Sequence, residues 1–164
     1  MVFEGEIYDR QALERLLPRG RRSPSSASDA QLLLGAYQAC GPDCLTTLDG
    51  PFALAIWDER QQQLLLARDR FGQKPLYYAF TDDGALLFAS QIKSLLASGL
   101  LVAELDREAV DNFLTLRYVP PYRTIFKNVH ILEPASYLIY NRDGVETRRY
   151  WRPRFDEIKI TQEE

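Results

Sequence analysis

Residues 51–89 read PFALAIWDERQQQLLLARDRFGQKPLYYAFTDDGALLFA, and this stretch decides the fold. FALAIW (52–57) and QLLLA (63–67) are short apolar runs joined by the polar DERQQ, the pattern of a hairpin whose strands are covered on both faces. LYYAF (76–80) and ALLFA (85–89), joined around Asp82, Asp83 and Gly84, repeat it. Strands that are apolar on both faces need a layer on each side, here a second sheet on one face and helices on the other.

On the N-terminal side, VFEGEIY (2–8) alternates as a strand does. Asp9 is placed to cap a short helix whose Ala12, Leu13, Leu16 and Leu17 form a stripe before Pro18 stops it. PRGRRSPSSAS (18–28), with Arg15 before it, is expected to be a solvated connection. Ser28 and Gln31 have the form of a capping box, and Leu33, Ala36, Tyr37 and Cys40 follow at helical spacing up to Gly41-Pro42. On the C-terminal side, Ser90 is expected to cap a helix carrying Ile92, Leu95 and Leu96, with Gly99 at its stop. Asp106 is expected to cap another, with Ala109, Val110, Phe113 and Leu114 on one face and Pro120-Pro121 beyond it. Strands follow at about 129–132, 136–140 and 145–151, the last two joined by an Asn141-Arg142-Asp143-Gly144 turn. Helices and strands come in blocks, so the class is α+β with mainly antiparallel sheet.

The 164 residues fit one domain. Twenty basic against 23 acidic side chains leave a net charge of −3, which gives nucleic acid and anionic membrane no general electrostatic attraction. No apolar run approaches the roughly 20 residues of a membrane span, and MVFEGEIYD resembles no secretory leader, so a cytoplasmic location is expected. Cys40 and Cys44 are spaced either as two thiols on one helical face or as half of a metal site. With His130 as the single histidine the set stops at three, short of the four ligands of a structural zinc site, and structural thiols are the expectation. His130, between apolar residues of a strand, receives no role. ARDRFGQKPLYY (67–78) has only Gly72, which excludes a P-loop by spacing and points to a buried turn held by Arg–carboxylate bonds among Arg68, Asp69, Arg70 and Lys74.

Taken in order, VFEGEIYD (2–9), SASDAQLLLGAY (26–37), LDGPFALAIWD (48–58), LLLARDRFGQKPLYY (64–78), LLFASQIKSLL (86–96), FLTLRYVPPYRTIFKNV (113–129) and the YW at 150–151 resemble the glutaminase domain of glutamine-hydrolysing asparagine synthetases. This is a class II amidotransferase domain of the N-terminal-nucleophile type. The resemblance implies a partial αββα sandwich over residues 1–151, with mainly antiparallel sheets and helices on the outer faces. Residues 152–164 would be a linker or the start of a synthetase domain.

In that family the second residue is a cysteine whose freed α-amino group serves as general base, and its thiolate attacks the glutamine carboxamide. Here position 2 is Val2, and the resemblance begins well inside the family's domain, past its opening strands and an arginine that clamps the substrate α-carboxylate. Cys40 and Cys44 fall in a helical region and carry no free amine. The family usually has asparagine where this chain has Glu4, followed by a glycine equivalent to Gly5, the two together donating hydrogen bonds to the oxyanion. An ionised carboxylate has no proton to donate, and loss of one such donor costs about 10²–10³ in rate. Glu6 and Asp29 fall where the family's carboxylates hold the substrate α-ammonium, so Gly5, Glu6 and Asp29 are the implied glutamine-binding residues. On composition alone, Glu6 would be an exposed strand carboxylate and Asp29 a first-turn acid favoured by the helix dipole. Gln31 and Gln91 replace family glutamates.

The expected function is therefore an amidotransferase domain of an asparagine-synthetase-like protein without glutaminase activity of its own. The alternatives are a structural or amino-acid-binding module, or half of a split active glutaminase. No catalytic residue, metal or cofactor is assigned to this chain; ATP and magnesium would belong to the synthetase domain, expected as partner in cis or in trans. Glutamine is a further possible ligand, and open strand edges make a homodimer an expectation.

Overall fold

The computed structural model describes residues 1–18, 27–119 and 123–155. A five-stranded antiparallel sheet has the order β1-β2-β3-β7-β8, built from β1 (Val2–Gly5), β2 (Phe52–Asp58), β3 (Gln63–Arg68), β7 (Ser136–Asn141) and β8 (Gly144–Arg149). A three-stranded antiparallel sheet has the order β5-β4-β6, from β4 (Tyr77–Phe80), β5 (Leu86–Ala89) and β6 (Val129–Ile131). Both hairpins read from residues 51–89 are present, one as β2–β3 and the other as β4–β5.

The layers follow from which side chains each strand turns to which face. Phe52, Leu54, Ile56, Leu65 and Ala67 pack under Leu13, Leu32, Leu33, Ala36 and Tyr37, which joins the five-stranded sheet to α1 (Arg10–Glu14) and α2 (Asp29–Cys40). Ala53, Ala55, Leu66 and Leu138 on the other face meet Leu76, Leu86 and Phe88, which joins the two sheets. The outer face of the small sheet, through Ala79, Leu87 and Ala89, packs on Leu95 and Ile92 of α3 (Ile92–Ala97). Helix, sheet, sheet and helix are thus stacked in the expected order. Leu65 and Leu33 are fully buried at the centre of the largest cluster, where truncation of such a leucine to alanine costs about 2–5 kcal/mol.

Helix ends follow the side chains that satisfy them. Asp9 accepts from Ala12 N–H, Ser28 and Gln31 form the reciprocal capping box, and Asp106 accepts from Glu108 and Ala109 N–H at the start of α4 (Arg107–Leu116). Two expectations are corrected. α1 ends at Glu14, so Leu16 and Leu17 pack from the turn after it. Gln91, not Ser90, stands at the N-cap of α3 and offers no side-chain bond. α2 ends at Cys40 with Gly41 as its C-cap, as expected, and Gly41–Thr46 then form a separate 3-10 helix with the proline in its first turn, where a missing N–H costs nothing.

That break also separates the cysteines. Cys40 closes α2 and Cys44 lies buried in the 3-10 helix, so they do not share one helical face. Among the residues of the β7–β8 turn only Gly144 has positive φ, while Asn141 accepts from Asp143 N–H. Arg117, at φ 61°, ends α4 by itself; Pro120 and Pro121, like residues 19–26 of the basic loop and 156–164 of the linker, lie outside the described residues.

Candidate functional site

The β1–β2 ladder sets the direction of each backbone group at the family-like VFEGEIY strand. Glu6 N–H donates to Pro51 O at 3.0 Å, and with Gly5 opposite Phe52 this phase turns the Gly5 N–H away from β2, toward the open edge of the sheet. Gly5 is required there. At φ +144° an added Cβ would stand 2.1 Å from Pro51 O, so neither the conformation nor the space admits a side chain. The backbone donor implied for an oxyanion is therefore presented to the exterior of the ladder.

Glu4, one residue earlier, points to the inner face. It lines a cleft of about 250 Å³ between the two sheets, walled by Ala53, Ala55, Leu76 and Phe88. Lys74 Nζ reaches across and donates to Glu4 Oε1 at 3.3 Å. At the position for which the resemblance implies an amide donor stands a carboxylate engaged by an ammonium. It is half-exposed and accepts rather than donates.

Lys74 is delivered by the 68–74 turn, whose construction differs from expectation. Arg68 does not bond a carboxylate: its guanidinium donates to the carbonyls of Lys74 (2.7 Å), Leu132 (2.7 Å) and Gly72 (2.6 Å). Asp69 is completely buried and accepts from the N–H groups of Phe71, Gln73 and Lys74 at 3.0, 3.0 and 2.9 Å. The backbone of a tight turn leaves donors and acceptors that no strand can satisfy, and the two charged side chains take them instead. Burial pushes the Arg68 guanidinium below its ordinary value, opposed by the neighbouring Asp69 charge. Gly72, at φ +66°, lies where a Cβ would press on the Arg68 guanidinium. Arg70 donates to Thr46 O at 3.0 Å, reaches Asp49 only at 3.6 Å and lies over the Trp151 ring. Tyr150 O–H donates to Arg68 O at 2.8 Å, and burial pushes its phenol well up.

Asp29 opens α2 and is already engaged. Its Oδ2 accepts from Ile7 N–H at 3.2 Å, and its Oδ1 pairs with the Arg10 guanidinium, which also donates to Ala27 O at 2.6 Å. Asp29 thus holds the Ile7 backbone, and Arg10 occupies its carboxylate. The Glu6 side chain is exposed, and its backbone N–H is used by the Pro51 carbonyl. Neither Arg10 nor Lys74 was singled out as a partner from sequence; no local signal pairs residues 19 or 70 positions apart.

The remaining reactive groups lie elsewhere. Cys44 is buried, and burial first, then the Cys40 and Asp43 charges, push its thiol up to about 12. His130 stacks beside Tyr78 at 5.3 Å on β6, and burial lowers it. Among the described residues no three His, Cys, Asp or Glu side chains are grouped to hold a metal ion, and no helix is long and apolar enough to cross a membrane.

The sequence and fold were compared with known proteins. Residues 1–151 match the glutamine amidotransferase domain family. Asparagine synthetase [glutamine-hydrolyzing] 3 of Bacillus subtilis is 35% identical over 155 residues, covering 92% of this chain and 25% of that protein. A putative asparagine synthetase of Methanocaldococcus jannaschii is 28% identical over 172 residues, covering 99% and 33%. The amidase chyE of Penicillium rubens is 35% identical over 151 residues, covering 92% and 22%. The chain therefore spans between about a fifth and a third of the length of these relatives. The solved glutamine phosphoribosylpyrophosphate amidotransferase of B. subtilis superposes with a TM-score of 0.59 at 18% identity, over 93% of this chain and 29% of its own, and so shares the fold. With its two-sheet sandwich, its outward Gly5 and a family match over residues 1–151, this chain belongs to the glutamine amidotransferase domain family.

Proposed function

We propose that these 164 residues are the amidotransferase-fold part of an asparagine-synthetase-like protein and that by themselves they do not hydrolyse glutamine. The observation that carries this is the Glu4–Lys74 pair. At the oxyanion position beside the outward Gly5 N–H stands a carboxylate, which repels developing negative charge and has no proton to give it. The cysteines support the same reading. Cys44 is buried as a neutral thiol, and Cys40 lies at the end of α2, across the sheet from the inter-sheet cleft.

What the fold still offers is a surface. α4 buries only Ala109, and Phe113, Leu114, Leu116 and Tyr118 around its C-terminal half are exposed, with Leu114 at 74%. Apolar residues so grouped mark a contact surface. We assign it to the ATP-dependent synthetase portion that would make up most of a relative's length, in cis or in trans, in the cytoplasm, where both cysteines stay reduced.

The test is direct. The purified chain is incubated with glutamine and released ammonia is measured; the expected result is none above the uncatalysed background. Release at enzyme-like turnover, about 1 s⁻¹ or more, would overturn the proposal.

A further inference from the structure

We propose that Asp143 is a site of spontaneous backbone modification, where the side chain closes on the Gly144 nitrogen and reopens as an isoaspartyl linkage, the substrate of an S-adenosylmethionine-dependent carboxyl methyltransferase. In the first step the Gly144 backbone nitrogen attacks the carboxyl carbon of the Asp143 side chain. A C–N bond forms, the carboxyl hydroxyl leaves as water with the proton of the nitrogen, and a succinimide ring results. Water then adds to one of the two ring carbonyls. Opening at the main-chain carbonyl leaves the chain running through the side-chain carbon, with a free α-carboxyl group and no net change in mass.

The ring closes most readily when the residue after the aspartate has no Cβ to obstruct its nitrogen. Three pairs meet that requirement: Asp49-Gly50, Asp83-Gly84 and Asp143-Gly144. The fold separates them. At the first, Tyr8 N–H donates to Asp49 O at 2.9 Å and Glu6 N–H to Pro51 O at 3.0 Å, so the chain is held on both sides of Gly50. Gly50 itself is packed so closely that a Cβ would stand 2.2 Å from Glu6 O. Rotation about this peptide is blocked.

At the second pair the attacking nitrogen is already engaged, because Gly84 N–H donates to Thr81 O at 2.9 Å, and Tyr140 O–H fixes Gly84 O at 2.7 Å. The Asp83 carboxylate accepts from the Thr81 hydroxyl. That bond first, then one from Ala85 N–H, holds the Asp83 carboxyl below its ordinary value, so it is less often the protonated acid whose hydroxyl can leave.

Asp143 is held by neither device. Its N–H donates to Asn141 Oδ1 at 2.9 Å, and among the described residues no hydrogen bond or ion pair engages its carboxylate. Both Asp143 and Gly144 are exposed, and no heavy atom lies within 4 Å of the place a Gly144 Cβ would take. Gly144 stands opposite Asn141 on the last rung of the β7–β8 ladder, and such terminal rungs open at the smallest cost. The extra main-chain carbon of the product enters at the tip of the turn, where no packed neighbour has to move.

The full chain is aged in the folded state at mildly acidic pH in water enriched in heavy oxygen, beside the same chain unfolded in guanidinium chloride. Mass spectrometry of the peptides that span the three pairs counts ring openings by the heavy oxygen each has gained. In the folded chain residue 143 is expected to react at least about five-fold faster than residue 49 or 83, the factor withheld by one intact hydrogen bond, whereas in the unfolded chain the three react alike. The aged protein is expected to accept methyl groups from S-adenosylmethionine through an isoaspartyl carboxyl methyltransferase. Asp143→Glu, whose longer side chain would have to close a larger ring, is expected to lose most of that labelling with unchanged circular dichroism. Residue 143 reacting no faster than 49 or 83 in the folded chain would overturn the proposal, as would labelling that survives Asp143→Glu.

Discussion

Lys74 Nζ stands 3.3 Å from Glu4 Oε1, bridging the 68–74 turn to the first strand at the mouth of the inter-sheet cleft. The pair joins the two features on which the proposed silence rests: a carboxylate at the position the resemblance implies for an oxyanion donor, and a cation committed to that carboxylate.

Glu4→Asn tests how much of the fold depends on that bridge. Both side chains are more than a third exposed, so the pair contributes within about 1 kcal/mol, and the variant should unfold in urea at nearly the wild-type midpoint. It restores an amide donor beside Gly5 without supplying a nucleophile, so ammonia release from glutamine should stay at background. A variant that hydrolysed glutamine would show that a nucleophile is already present among these residues.

Asp69→Ala should be far more costly. The carboxylate is fully buried and accepts three backbone N–H bonds, and its removal leaves those donors in the interior together with an unopposed Arg68. A loss of about 3 kcal/mol or more is expected from urea denaturation. A loss below 1 kcal/mol would mean that water replaces the carboxylate, and the turn would not depend on it.

Alkaline pH should weaken the fold through Cys44. Its thiol is pushed up to about 12, by burial first, from an ordinary 9.0. Across that interval the native state keeps a proton that the unfolded chain gives up. Stability from this group is therefore complete below about pH 9 and falls as pH rises toward the folded value, by at most about 1.4 kcal/mol per unit. Tyr37, raised chiefly by burial, acts in the same direction at higher pH. Urea midpoints measured at rising pH should fall for the wild type and fall less steeply for Cys44→Ala.

Much of this architecture was legible from local pattern. The hairpins of residues 51–89 announce themselves because apolar runs of strand length alternate with polar punctuation, and Ser28 with Gln31 specifies a helix start within four residues. The 3-10 helix at Gly41–Thr46 was hidden because Pro42 reads as a stop, although a proline in a first turn equally begins a helix. Ser90 has the side chain of a cap, but the backbone sets the N-cap at Gln91, where no side-chain bond is made. At the site, residue identity indicated which positions differ from the family, but not what those residues do. Glu4 finds Lys74 and Asp29 finds Arg10 only after the chain has folded, and Asp69, read as an ion-pair partner, serves backbone N–H groups because the turn leaves them bare.

Glutaminase silence is tested most directly by covalent trapping. The folded chain is treated at neutral pH with an electrophilic glutamine analogue and its mass is measured, with and without excess glutamine. The expected result is no stoichiometric adduct and no effect of glutamine, with Cys44 reacting only after denaturation. One adduct per chain, suppressed by glutamine, would show a working nucleophile and contradict the assignment.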